Sequence, residues 1–328
     1  MDEVPEVSII VTCRNNALTI GECLQALNDQ DYPNAIEIMV IDAYSTDGTF
    51  EIAKKYTPKV FSEPLNAAAA YNYAMQIATH KILGFVDADA KVEREWLKKL
   101  VPHLEEDNVA GVSGAIETWN WQNPWARSLG YELKNRYNRI GKYAGRIATM
   151  NLIVKKSVIE EAGGWDESLP SQYDTDFGYK VSGLGYKFAY EPQAKCYHFN
   201  RQTVRAYWRQ QLQYGKNTLK LYLKHRQLAR GDEITDWSMN LQPALLLSTI
   251  AFFLLGLVPS LRLLCYVSGV ILAAILVFYV YSAVKISVKF KDGTAMRLVV
   301  LYYVRALAWL CGAALTTAKY LFGSRRNQ

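Results

Sequence analysis

Two carboxylates one residue apart, Asp87 and Asp89, follow directly on the apolar run Ile82–Val86 (ILGFV). At the end of a buried strand such a pair can hold a hard divalent cation, and that cation can neutralise a diphosphate. Taken alone, the tripeptide Asp87-Ala88-Asp89 reads equally well as a solvated acidic turn. A further aspartate, Asp42, closes a second apolar run, residues 36–41 (IEIMVI), just ahead of the loop Ser45-Thr46-Asp47-Gly48. Asp174 precedes the helix-like stretch 177–184, where its plain reading is a helix cap.

These groups need elements to carry them. Residues 7–12 (VSIIVT) form a continuous β-branched run, followed by Arg14-Asn15-Asn16 and then by Leu18, Ile20, Cys23, Leu24 and Leu27 at helical spacing. The pattern recurs with a strand at 36–41 and a short helix at 50–56, and again with the strand at 82–86. Strands alternating with helices imply an α/β fold with a parallel sheet, whose ligands bind outside the carboxyl ends of the strands. Asp42, Asp87 and Asp89 then converge on one crevice. Residues 110–116 and 151–154 read as further strands, and Gly163-Gly164-Trp165-Asp166 as a sharp turn.

The chain has 328 residues, enough for one α/β domain, placed at 1–200, and a second part. Residues 201–238 are basic and aromatic, with Tyr207, Trp208, Tyr214 and Tyr222 interleaved with Arg205, Arg209, Lys216 and Lys220, a composition suited to a membrane interface. Residues 239–328 hold three apolar stretches, 241–258, 263–284 and 298–318, each near the roughly 20 residues that cross a hydrocarbon core. The third contains Arg305, and a cation at a helix centre costs on the order of 2.5–3.5 kcal/mol. A re-entrant or surface-lying last helix is therefore the alternative to a third span. Lys285, Lys289, Lys291 and Arg297 orient the spans by the positive-inside rule and keep the first domain cytoplasmic at the cell membrane, whereas a third crossing puts Arg325 and Arg326 outside. The acidic start lacks the pattern of a secretory signal, and the segment 124–145 reads as a second membrane-facing helix. The net charge of +6, without a polybasic tail, suits phosphates or an anionic membrane surface and gives no sign of nucleic acid. Five cysteines without ligand spacing read as free thiols.

VSIIVTCRN, VIDAYSTDGT, GFVDADA, GGWDESLPSQYDTDFGYKVSGLGYKFAYEP and WRQQLQYG stand in the order seen in family-2 glycosyltransferases, and the resemblance spans about the first two-thirds of the chain. The interfacial helix and C-terminal spans resemble the membrane-bound, cellulose-synthase-like members. The resemblance implies a GT-A (Rossmann-like) fold, a nucleoside diphosphate sugar donor, a Mg²⁺ or Mn²⁺ ion and inversion by direct displacement. It also implies that Thr12, Arg14, Asn15 and Asp42 hold the donor nucleotide, that Asp87 faces nucleotide and sugar, that Asp89 binds the metal and that Asp174 is the general base. His198 matches a place where some relatives keep a metal or phosphate ligand, although a lone histidine more often serves structure. Trp165 is expected to line the acceptor site.

Gln210, Gln213 and Tyr214 align with the Gln-x-x-Arg-Trp element that clamps diphosphate and acceptor in processive synthases, with Gln213 in place of arginine and Tyr214 in place of tryptophan. Arg209 or Lys216 can supply the missing cation, or can serve the interface alone. Other departures are Ala43-Tyr44 for Asp-Gly, Tyr71 for a frequent arginine and Tyr173 for glutamate. The resemblance thus implies transfer of one hexose to a polyprenyl or dolichyl lipid-linked acceptor, as in lipid-linked glycan assembly for N-glycosylation. GDP-mannose is the first donor expected and UDP-hexose the second. A processive polysaccharide synthase and a catalytically silent nucleotide-binding scaffold are the alternatives.

Overall fold

Apolar runs flanked by turn residues become the strands and helices of a computed structural model that describes residues 4–323. In chain order its strands are β1 (Val7–Cys13), β2 (Ile36–Asp42), β3 (Val60–Ser62), β4 (Ile82–Val86), β5 (Ala90–Val92), β6 (Val109–Thr118), β7 (Tyr143–Ala144), β8 (Asn151–Lys155) and β9 (Lys187–His198). The helices are α1 (Ile20–Asn28), α2 (Thr49–Ala53), α3 (Ala67–Ile77), α4 (Trp96–Leu100), α5 (Pro124–Tyr137), α6 (Lys156–Glu161), α7 (Tyr173–Gly183), α8 (Val204–Lys224), α9 (Trp237–Leu255), α10 (Leu263–Phe290) and α11 (Leu298–Gly323). Arg325 and Arg326, used above for orientation, lie outside the described residues.

Among the described residues the strands make one sheet in the order β3-β2-β1-β4-β8-β6-β9-β5, with β7 pairing β9. β1 is buried on both faces, as expected of a central strand with helices on either side, and pairs in parallel with β2 and β4. The expectation of a wholly parallel sheet is corrected here. β8 runs antiparallel to β4 and β6, and β5 antiparallel to β9. The chain leaving β6 comes back into β8 at the same end of the sheet, so no crossover reverses it. α1 buries Ile20, Cys23, Leu24 and Leu27 against this sheet, while Asn66 caps α3 by accepting the Ala69 amide at 3.0 Å.

The chain forms two compact units, residues 1–120 with 137–199, and residues 121–136 with 200–328. The second unit therefore recruits most of α5, which the sequence places inside the first domain's span. Within this unit α5 is held to the α10–α11 junction: Ser128 Oγ donates to Thr294 O at 2.7 Å, Tyr131 Oη to Asp292 at 2.9 Å, and the Tyr131 and Phe290 rings stack at 4.7 Å. α9, α10 and the segment Gly293–Tyr320 are each long and apolar enough to cross a membrane. The cation that made the third doubtful has a partner, since Arg305 Nη1 donates to Glu132 Oε1 at 2.8 Å and Nη2 to Gln242 Oε1 at 3.2 Å.

Candidate active site

β4 delivers its carboxylates through a tight turn. The Ala90 amide donates to Asp87 O at 2.9 Å and swings the chain into β5, whose pairing sets Ala90 opposite His198 on β9. Asp89 is thereby brought against His198, with Oδ1 3.5 Å from Nε2, and the Phe199 amide donates to Asp89 O at 2.8 Å. Register, rather than nearness in sequence, makes this pair.

Burial raises the Asp87 pKa, the neighbouring charges of Asp89 and Asp174 raise it further, and His198 opposes them. Asp174, in the first turn of α7, is likewise raised by burial, while the buried Arg146 guanidinium pulls it back. Its Oδ1 accepts the Thr175 amide at 2.8 Å. Gln172, with φ +61°, holds the left-handed turn that starts α7. The structure thus brings Asp87, Asp89, Asp174 and His198 within electrostatic reach of one another.

Tyr71 ties these groups together. Fully buried on α3, it donates through Oη to Asp87 Oδ1 at 3.3 Å, and its hydroxyl also meets Thr12, Thr149 and Tyr173. Its ring packs edge-on to Tyr173 at 5.6 Å and to Phe85 at 5.0 Å. Two positions noted above as departures, Tyr71 and Tyr173, are therefore neighbours, and a neutral aromatic pair spans the floor between Asp87 and Asp174. Neither Tyr71 nor Arg146 was singled out from sequence as a site residue. In an alanine-rich helix a tyrosine reads as core, and Arg146 has no motif around it.

The strand ends at β1 and β2 are stapled to each other. Asp42 accepts the Ser45 amide at 2.9 Å, the Ser45 hydroxyl and, at 3.4 Å, the Cys13 thiol. Asn15, at φ +56°, donates its amide to Ser45 Oγ at 2.8 Å and accepts the Thr46 amide on Oδ1 at 2.9 Å. Arg14 is exposed beside them, and its amide donates to Asn16 Oδ1 at 3.0 Å. The polar groups of Asp42 and Asn15 thus shape this loop pair.

Trp165 lies in an aromatic core, 2% exposed, stacked on Phe177 at 4.7 Å and edge-on to Phe85 at 4.8 Å. Asn72 clamps its backbone from both sides, accepting from Trp165 N and donating to Trp165 O, each at 2.9 Å. Gly164, at φ +67°, leaves room for that clamp, since a Cβ there would stand 2.5 Å from Asn72 Oδ1. Among the described residues the buried Trp165 Nε1 has no hydrogen-bond acceptor, nor does Gln172 Oε1 have a donor. Arg209, Gln210, Gln213, Tyr214 and Lys216 lie on α8, in the other unit.

Among the described residues no three His, Cys, Asp or Glu side chains form a ready-made metal cage. Asp89 and His198 nevertheless present an oxygen and a nitrogen donor 3.5 Å apart. Adjacent ligands of one octahedral ion stand about 3 Å apart, and carboxylate with imidazole suits Mn²⁺ and tolerates Mg²⁺. The donor set fits a divalent ion, which Asp89 and His198 would hold.

Residues 8–161 match the family model described as Glycosyl transferase family 2. The chain is similar to glycosyltransferase AglE of Haloferax volcanii, 27% identical over 197 residues, which are 57% of this chain and 64% of that protein. It is similar also to the poly-beta-1,6-N-acetyl-D-glucosamine synthase of Staphylococcus epidermidis, 22% identical over 317 residues, 90% of this chain and 72% of that one. Among solved structures, the mannosyltransferase PcManGT from Pyrobaculum calidifontis, in complex with GDP-Man and Mn²⁺, superposes with a TM-score of 0.59 at 22% identity, over 98% of this chain and 88% of the other. The chain spans just under two-thirds of the length of the Haloferax relative.

Proposed function

Because the chain carries a family-2 glycosyltransferase domain of GT-A fold, we propose that the protein is an inverting transferase that moves one hexose from a nucleoside diphosphate sugar to a lipid-linked acceptor at a membrane. The observation that carries this reading is the grouping of Asp87, Asp89 and His198 at the end of β4 with Asp174 in electrostatic reach. A scaffold has no need of acidic groups directed at one another, whose mutual repulsion costs stability.

In this reading Asp174 takes the proton from the acceptor hydroxyl as that oxygen attacks the anomeric carbon. The bond from that carbon to the diphosphate breaks and the nucleoside diphosphate departs. A base raised above the ordinary carboxylate range is better matched to a hydroxyl proton. Asp89 and His198 would hold a divalent ion, which supplies positive charge to the diphosphate. Asp87, steered by Tyr71, faces nucleotide and sugar. Asn15, Arg14, Thr12 and Asp42 frame the nucleotide end. Trp165 Nε1 and Gln172 Oε1, without partners among the described residues, are groups that a bound acceptor can satisfy, because a buried unpaired donor costs about 1–3 kcal/mol.

The lipid acceptor is supported by chain continuity. The catalytic domain runs into α8 and then into helices long enough to cross a membrane, so enzyme and lipid meet in two dimensions. GDP-mannose is the donor to test first, since the Pyrobaculum structure holds it, and UDP-hexose second. The alignment with a polysaccharide synthase over 90% of the chain favours a processive reaction as the second reading. Gln213 and Tyr214, in place of the arginine and tryptophan of processive enzymes, count against it.

The test is radiolabelled transfer from a panel of nucleotide sugars into extracted membrane lipid, with Mg²⁺ or Mn²⁺, for the wild type, Asp89→Asn and Asp174→Asn. The expected result is label in lipid from one donor with the wild type and loss by ~10²–10⁴-fold in Asp174→Asn. Label in insoluble polymer would replace the single-sugar reading with the processive one. Nucleotide binding without transfer from any donor would leave a silent scaffold.

A further inference from the structure

α11 is apolar enough to cross a membrane, yet its packing within the C-terminal unit follows a different course. α9 and α10 form an antiparallel hairpin: Ser268 Oγ donates to Thr249 O at 2.9 Å, while Cys265 lies against Gly256 and Phe253. Their mean hydropathies reach 1.5 and 2.6. A hairpin that enters and leaves a bilayer returns its two outer ends to one face, so Trp237 and Phe290 share a side. Both ends of α8 are tied to that side. Its first turn packs through Tyr207 into the cluster of Ile286, Ala295, Leu298 and Tyr302 where α10 gives way to α11. Its last turn leads through the segment 225–236, with Arg226, Arg230, Asp232, Glu233 and Asp236, into the start of α9. A helix that begins and ends on one side does not cross.

α11 keeps α8 company along the same path and in the same direction. Tyr207 meets Tyr302, Gln211 Oε1 accepts from Trp309 Nε1 at 2.9 Å, and Lys216 O accepts from Thr316 Oγ1 at 3.0 Å. Numbers rise together on both helices, so the pair is parallel. The contact is backbone-close: a Cβ on Gly215 would stand 2.6 Å from Trp309 Cα, and one on Gly312 2.6 Å from Leu212 O. Were α11 to span, Arg209, Lys216 and Lys220 of α8 would enter the hydrocarbon with it, where cations are costly. Beyond Thr316 the described helix advances only about 10 Å, a third of the ~30 Å core. The most apolar stretch of α11 is also 39% buried in protein, against 22% and 17% for α9 and α10.

We propose that α8 and α11 lie side by side in the membrane interface as one parallel, glycine-notched pair, that among the described helices only α9 and α10 cross, and that the far end of α11 stays on the face of the segment 225–236. Leu223 on α8 and Leu307 and Leu315 on α11 are exposed and enter the acyl boundary, while Lys216 and Lys220 reach lipid phosphates.

The test uses the protein in sealed vesicles and variants with one added cysteine in a Cys265→Ser, Cys311→Ser background, where the remaining Cys13, Cys23 and Cys196 are buried: Glu233→Cys, Ser260→Cys and Lys319→Cys. Labelling with a membrane-impermeant maleimide before detergent is expected to give Lys319→Cys the same accessibility as Glu233→Cys, with Ser260→Cys reactive only from the other face. Co-labelling of Lys319→Cys with Ser260→Cys overturns the proposal. As a second measurement free of substitutions, a C-terminal epitope on the wild type is expected to be removed by protease from the face that cuts the segment 225–236. Protection of the epitope on that face overturns the proposal as well. Neither readout needs a donor or an acceptor, so both are independent of the proposed reaction.

Discussion

At the scale of single residues, Asp174 is under two opposed demands. Burial favours its neutral form, so the native protein holds a proton that the unfolded chain has already released at the same pH. Stability is then greatest in acid and falls as pH rises through the native value. In the proposed reaction Asp174 is the base and must be ionised, so kcat/KM is expected to rise with pH through that same value. Asp174→Asn is therefore expected to lose transfer by ~10²–10⁴-fold and yet to unfold at a higher temperature than the wild type near neutral pH, a gain that vanishes in acid. Thermal unfolding at the two pH values checks this, and an unchanged midpoint at neutral pH would remove the claim that the ionised carboxylate strains the fold. The carboxylates at the strand ends were legible in sequence: Asp42, Asp87 and Asp89 each follow an apolar run. Tyr71 was not, because its role depends on the carboxylate its hydroxyl meets, and a buried tyrosine in a helix has the same sequence signature whatever lies above it.

At the scale of elements, the notch between α8 and α11 makes a clear demand on side-chain size. Gly312 has Leu212 O and Lys216 N each 2.6 Å from where a Cβ would stand, whereas Gly269 on α10 has nothing within 4 Å. Gly312→Leu is expected to part the two helices and lower the unfolding midpoint in detergent, while Gly269→Leu leaves it within error or raises it slightly through helix propensity, a term of about 1 kcal/mol at most. Equal effects of the two substitutions would mean that the notch does not hold the pair. Sequence periodicity marked α8 as basic and aromatic but gave no sign of its partner, since a glycine inside a helical pattern reads as a weak point instead of a docking groove. β9 was hidden for a related reason: Pro192 and Gln193 interrupt its alternation at the place where its register with β6 shifts. The doubt over Arg305 came from judging it alone, because its carboxylate partner, Glu132, stands 173 positions earlier in the chain.

At the scale of the whole molecule, a modest net charge of +6 is combined with two helices of high hydropathy in a hairpin. Charge alone would give a peripheral protein that salt releases. The hairpin is expected to keep the full-length chain in the membrane pellet through high salt and alkaline carbonate, with release only by detergent. Recovery in the carbonate supernatant would show that neither helix is inserted. The pairing of Gln211 with Trp309 also joins residues 98 positions apart. During synthesis at about 5–20 residues per second, the groove on α8 therefore waits roughly 5–20 s for the helix that fills it. Over that interval the nascent chain displays a bare glycine notch beside a nearly finished hairpin. A ribosome stalled short of α11 would hold the protein in that state, making this the step of biogenesis most open to chaperone capture or to mispairing with another chain.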